Sequence, residues 1–276
     1  MTTTQLDKAN VFRALHQGPG AFVIANAWDA GSARILAGLG FSALATSSGA
    51  SAGVYGRRDG GIARDQALAH ARAIVGAIDL PVSADLESGF GNEPKEVAET
   101  YRQAAAAGLV GATLEDATPG RSTDKPLFDI GEATERVAAA VEATRKLGFP
   151  FMLTARAEGF LRGNTDLDDA IRRLQAYEKA GADVLMAPGL PDLASVKLVC
   201  AAISKPFNFM AGIPRKSFSI AELEAARVRR ISLATSLYRA AMGGLIAAAR
   251  EVKEKGTFGY VDTSLPSAEL AGFMQA

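Results

Sequence analysis

The sequence predicts a (β/α)8 TIM barrel. Three observations carry that prediction. The chain has 276 residues, close to the ~250 of a typical barrel folded as one domain. A short apolar run, a few polar or glycine residues and an Ala/Leu-rich helical stretch recur eight times along it. The apolar runs do not alternate with polar residues, which marks strands covered on both faces and hence a parallel sheet. Strict β-α alternation favours a closed barrel over an open doubly wound sheet.

The strand candidates in order are Phe22–Trp28, Ser42–Ser47, Val82–Glu87, Gly111–Asp116, Phe151–Ala157, Asp183–Ala187, Phe207–Gly212 and Arg230–Ala234. Helical patterns between them cover Arg64–Ile78, Pro94–Ala107, Gly131–Lys146, Leu167–Ala180 and Asp192–Ile203. Gly40, Gly108, Gly148 and Gly181 stand where helices should stop, because glycine accepts the left-handed cap conformation. No linker or low-complexity block divides the chain, so residues 1–276 read as one barrel domain with 257–276 as a C-terminal tail or short helix.

Lys and Arg number 30 and so do Asp and Glu. Without a basic excess, nucleic acid and membrane surfaces are not expected partners. No apolar run reaches the ~18 residues of a membrane span, and the polar start MTTTQLDKANVF lacks a secretory core. Cys200 is the only cysteine, so no internal disulfide forms, in keeping with a cytoplasmic location. It lies in an apolar helical stretch and reads as inert core.

Active sites of this fold form at the C-terminal ends of the strands. There the sequence places Asp85, Glu87, Glu115 and Asp116 on neighbouring strands 3 and 4. Residues two apart in a strand face the same way, so Asp85 and Glu87 can both reach the mouth, whereas adjacent Glu115 and Asp116 cannot both do so. Asp116 has the weaker claim. An acid after a strand is also a common helix cap. Several together repel one another unless a cation intervenes. The oxygen-only set favours Mg²⁺ or Mn²⁺ over Zn²⁺. Neither histidine helps a metal, since His16 precedes strand 1 and His70 lies in a helix. Arg156, ending FMLTAR, suits a bidentate pair with a substrate carboxylate or a salt bridge to the same acids. Ser47, Ser48 and Gly49 can present N–H groups and hydroxyls to an anion, or form an ordinary turn. Trp28 can wall the pocket or fill the core, and Asn208 is the polar residue of strand 7.

At these residues the chain resembles the isocitrate lyase / phosphoenolpyruvate mutase superfamily. The resemblance runs from about Ala21 to Ala249 in NAWDAGSAR, TSSGASAGVYGRRDGG, SADLESGFG, TLEDATPG, TARAEGF and NFMAGIP. It implies a barrel of the phosphoenolpyruvate/pyruvate-binding type, with members that include 2-methylisocitrate lyase, phosphonopyruvate hydrolase and oxaloacetate decarboxylase. By resemblance, Asp85 is the main metal-binding aspartate, and Glu87 and Glu115 hold the metal directly or through water. Asp59 lies near the metal and the reacting atoms. Trp28, Ser47, Ser48 and Gly49 grip the substrate carboxylate and 2-oxo group, Asn208 joins that substrate set, and Arg156 clamps the substrate. The implied substrate is a small 2-oxo or 2-hydroxy di- or tricarboxylic acid, cleaved at a C–C bond through a metal-stabilised enolate. C–P chemistry on phosphonopyruvate and a non-catalytic 2-oxo acid binder are the alternatives.

One segment departs from the pattern. The lyases carry a cysteine proton donor in a loop after strand 4, but Ala117–Asp129 reads ATPGRSTDKPLFD, with neither Cys nor His. Arg121, Ser122, Thr123 and Lys125 are its polar residues. Lys125 or Arg121 is expected to meet the substrate's distal group from a closing lid. The resemblance further implies homodimers or homotetramers that exchange the last barrel helix, for which Ser236–Lys255 is the candidate.

Overall fold

The computed structural model describes residues 3–119 and 124–274. Eight parallel strands close into a barrel in sequence order, the last pairing with the first. They are β1 Phe22–Asn26, β2 Leu44–Ala45, β3 Val82–Asp85, β4 Gly111–Glu115, β5 Met152–Arg156, β6 Val184–Met186, β7 Phe207–Met210 and β8 Arg230–Ser232. The helices are α1 Gln5–Gln17, α2 Ala30–Gly38, α3 Ser48–Val54, α4 Arg64–Ala77, α5 Pro94–Ala106, α6 Ile130–Arg145, α7 Leu167–Lys179, α8 Leu193–Ala202, α9 Ile220–Ala225, α10 Ser236–Arg250 and α11 Ser267–Phe273.

The ends of α4 to α8 fall within one residue of the expected ones, whereas the expected Ser236–Lys255 is α10 as far as Arg250 and then a π-helical turn, Glu251–Lys255. Gly40, Gly108 and Gly181 do take positive φ after helices, but Gly148 does not. Strands are shorter than expected at their C-terminal ends. The residues beyond the ladder feed the next helix instead. Asp29 caps α2 by accepting from the Ser32 N–H at 2.6 Å, and Ser47 is already the N-cap of α3. Apolar patterning reports burial, not ladder pairing, and the two part company where the chain turns off the barrel.

The sequence pattern did not reveal α1. Thr4 and Asp7 form a capping box at its start. Its Ala9 and Phe12 pack fully buried with Ile24, Val110, Met152 and Val184, which stops the N-terminal end of the barrel. The main core lies between the barrel and the ring of helices, built from residues such as Leu44, Leu86, Val97, Tyr101, Leu114, Leu174 and Val199.

Beyond β8, α10 has no buried residue. Leu245 and Ile246 on it are exposed. The expected tail holds a short 3-10 turn, Gly259–Thr263, and then α11. Among the described residues no helix is long and apolar enough to cross a membrane.

Candidate active site

A cavity of about 830 Å³ opens at the C-terminal ends of the strands. Strand register explains its centre. Asp85 stands opposite Thr113, and Glu115 opposite Arg156, in the β3–β4 and β4–β5 ladders. Three acids therefore meet one guanidinium. Arg156 Nη1 lies 3.1 Å from Asp85 Oδ1, and its Nη2 lies 3.3 Å from Glu115 Oε2 and 2.8 Å from Glu158 Oε1. Its Nε donates to the same Glu158 oxygen at 2.9 Å. Arg162, from the turn after β5, reaches Glu115 Oε1 at 3.3 Å.

Asp85 collects further donors. Its Oδ2 accepts from the Ser48 N–H at 3.0 Å, and its Oδ1 accepts from Thr113 Oγ1 at 3.2 Å and from the Glu87 N–H at 3.3 Å. Burial works against its charge, but Arg156 and these N–H groups hold its carboxyl below the usual range. Glu115 goes the other way. Burial, reinforced by the charge of Glu158, pushes it well above the ordinary value. Burial raises Glu158 too, against the pull of Arg156. Burial alone would make Arg156 easier to deprotonate, but Glu158, Asp85 and Glu115 outweigh that and keep it charged.

A family model for phosphoenolpyruvate phosphomutase matches residues 12–253. The chain belongs to that family. A solved structure from Burkholderia cenocepacia J2315, provisionally named a lyase/mutase, shares 48% identity with this family member over 99% of this chain and 97% of its own, with a TM-score of 0.95. Curated relatives include an oxaloacetate decarboxylase of Bradyrhizobium sp. at 31% identity, covering 95% of this chain and 91% of that protein. They also include the 2-methylisocitrate lyase of Escherichia coli K12, at 30% identity over 83% and 79%. A phosphonopyruvate hydrolase solved with oxalate and Mg²⁺ is 26% identical, with a TM-score of 0.85 over 96% of this chain and 94% of its own. This family member is accordingly an enzyme of the carbon–carbon lyase kind.

Other expected site residues fall into two groups. Ser47, Ser48, Gly49, Asp59, Glu87 and Asn208 all line the cavity with Asp85, Glu115 and Arg156. Glu87 does so after β3 has ended. Its φ is +50°, so the two-residue period of a strand does not aim its side chain. Its backbone is tied to β4, since its carbonyl accepts from the Glu115 N–H at 3.0 Å. Glycine at positions 49 and 60 leaves room nearby. A Cβ on Gly49 would sit 3.5 Å from Asp59 Cγ, and one on Gly60 would sit 3.7 Å from Glu87 Oε2. Asn208 lies deep, donating to Ser232 Oγ at 3.0 Å and accepting from Arg230 Nε at 3.0 Å.

Trp28 and Lys125 do not line the cavity. Trp28 stacks edge-on against Tyr238 at 5.7 Å, and its carbonyl meets His70 Nε2 at 2.7 Å. Having left the ladder at Asn26, the chain carries the indole outward. Lys125 is exposed and pairs with Asp129 and Glu132 at 3.2 and 3.3 Å, two residues before Leu127, which bridges to Ala117. Arg121, Ser122 and Thr123 lie outside the described residues.

Asp116 faces away from the mouth, as its neighbour Glu115 requires. It accepts from Arg173 at 3.0 Å, Tyr177 at 2.7 Å and the Glu158 N–H at 2.8 Å. It thus fixes the segment that carries Glu158. Arg136 on α6 plays a similar part for the loop after β3, donating to the carbonyls of Ser88, Gly91 and Asn92. Cys200 is buried in α8, as its apolar stretch implied, and burial pushes its thiol up to about 12. Glu158 and Arg162 were visible as residues but had no assigned role. The Arg-x-Glu spacing of Arg156 and Glu158 was the available signal.

Proposed function

We propose that this protein is a Mg²⁺-dependent lyase or hydrolase that cleaves a C–C bond in a small 2-oxo or 2-hydroxy di- or tricarboxylic acid, with Mn²⁺ able to substitute. The observation that carries the reading is one cavity in which Arg156 is shared by Asp85, Glu115 and Glu158. Among the described residues, its lining holds six carboxylates, those of Asp59, Asp85, Glu87, Glu96, Glu115 and Glu158, against the guanidiniums of Arg156, Arg162 and Arg230. Such an all-oxygen, acid-rich donor set suits a hard divalent cation.

No group of three His, Cys, Asp or Glu side chains among the described residues is arranged as a ready metal cage. Mg²⁺ needs less, since it keeps several waters and takes one or two protein carboxylates. Asp85 would hold it, with Glu87, Glu115 and Asp59 acting through water, and the ion would polarise the 2-oxo oxygen as a Lewis acid. Arg156, kept charged by its acids, would clamp the substrate carboxylate and meet the negative charge that C–C cleavage leaves. Ser47, Ser48 and Gly49 would border the same carboxylate. Asp116, through the Glu158 N–H, would keep the strand-5 segment in place.

Turnover of oxaloacetate, methylisocitrate and phosphonopyruvate, with and without Mg²⁺, tests the reading. A C–C substrate should be consumed, chelation should abolish this, and Asp85→Asn should lower activity at least ~100-fold. Turnover of phosphonopyruvate alone would move the protein to C–P chemistry. Tight Mg²⁺–oxalate binding by calorimetry without turnover of any substrate would make it a binding protein.

The same reading makes the protein a cytoplasmic homodimer or homotetramer in which α10 crosses to a neighbour. The absence of a buried residue on α10, with Leu245 and Ile246 exposed, supports that exchange. A monomer-sized particle in light scattering would overturn it.

A further inference from the structure

TIM-barrel interiors are ordinarily filled by layers of branched apolar side chains. Here the cavity continues below the mouth, past Ser83, Thr113 and Ser232, to Arg230. Arg230 opens β8 and is 2% exposed. Its guanidinium is held by neutral groups only. Nε donates to Asn208 Oδ1 at 3.0 Å, Nη2 donates to Thr154 Oγ1 at 2.9 Å, and Nη1 lies 3.3 Å from His16 Nε2. His16 Nδ1 lies 2.8 Å from the Phe12 carbonyl. That contact requires a proton on Nδ1, which leaves Nε2 to accept from Arg230. Burial and the charge of Arg230 hold His16 neutral, down to about 3.

Among the described residues, no Asp or Glu forms an ion pair with Arg230, whereas Arg156 is shared by three acids. Burial and repulsion from Arg156 lower the Arg230 guanidinium to about 9. A buried cation surrounded by dipoles alone is costly, and a counter-anion offsets that cost. The space and the donors for one are present. A guanidinium carries five N–H groups, and three are engaged by the bonds to Asn208, Thr154 and His16. Ser232 Oγ, which accepts from Asn208 at 3.0 Å, keeps its own proton to donate.

We propose that the floor of the cavity at Arg230 is a binding site for a small monoanion, carboxylate or halide, held by the guanidinium and the Ser232 hydroxyl. The occupant is either a free anion or the far carboxylate of the substrate. The second case rests on the functional reading above; the first does not.

Crystals of the full chain soaked in sodium bromide and measured at the bromine edge test this without reference to turnover. The expected result is an anomalous peak in hydrogen-bond contact with Arg230, and its loss in Arg230→Met. Only water beside Arg230 in the wild-type soak would overturn the site, as would a peak that persists in the variant. The wild-type soak decides the matter even if the variant does not fold. Adding oxaloacetate to the bromide soak separates the sources. Displacement of bromide assigns the site to the substrate's far carboxylate, and joint occupancy assigns it to a separate anion.

Discussion

Two guanidiniums stand inside the same barrel in opposite company. At the mouth, Arg156 on β5 touches Asp85, Glu115 and Glu158. On the floor, Arg230 on β8 touches Asn208, Thr154 and His16. Both are buried, yet Arg156 is harder to deprotonate than usual and Arg230 easier. Burial works against the charge of each, and among the described residues only Arg156 has acids beside it to outweigh that. The mouth has carboxylates to spare for a cation, and the floor has a cation to spare for an anion.

The largest expected effect is at the mouth. Arg156→Met leaves three acids without their shared cation and should destabilise the fold by about 3–5 kcal/mol, the cost of breaking a buried ion pair from one side. Urea unfolding reads this as a lower midpoint at unchanged slope. A loss under about 1 kcal/mol, the scale of an exposed pair, would break the comparison.

Next comes acid sensitivity of the floor. The folded value of His16, about 3, lies below its ordinary 6.5. The unfolded chain therefore binds more protons between those values. This contribution is complete above pH 6.5 and is lost as pH falls towards 3. By pH 5 the loss should reach about 2 kcal/mol. Urea midpoints measured across this range should show a flatter acid limb in His16→Gln, and identical limbs would mean that His16 titrates in the fold as it does in the unfolded chain.

Arg230→Met should cost less than Arg156→Met. It removes an expensive buried charge but strips Asn208 and Thr154 of a partner, for a net loss of about 1–2 kcal/mol in the same urea series. Equal losses at the two arginines would erase the difference between mouth and floor. The smallest effect is expected at Lys125. Its pairs with Asp129 and Glu132 are exposed, so Lys125→Ala should leave the urea midpoint unchanged. A raised KM in that variant would show that the loop brings Lys125 to the substrate during turnover.

Much of this was legible in the chain. Eight β-α units implied the closed barrel, and Asp85, Glu87, Glu115 and Arg156 were recognisable because strand ends of this fold face the site. Arg230 and Ser232 lie two apart at the start and end of β8, so their shared face was readable too. Which face looks inward was not, because that depends on how the closed sheet tilts and staggers. Trp28 lies outside the cavity for a related reason. The apolar run continued past Asn26, but the ladder did not.

The sequence by itself determined the order of elements, the parallel sheet and the acid-rich rim, since these follow from local periodicity and from which residue types stand at strand ends. Only the tertiary structure decided that Glu115 would face Arg156 across a ladder, that Asp116 would turn outward to Arg173, and that Arg230 would be buried without an acid. Those outcomes depend on register and closure. Both are set by contacts between residues far apart in the chain, such as the 76 positions that separate Thr154 from Arg230.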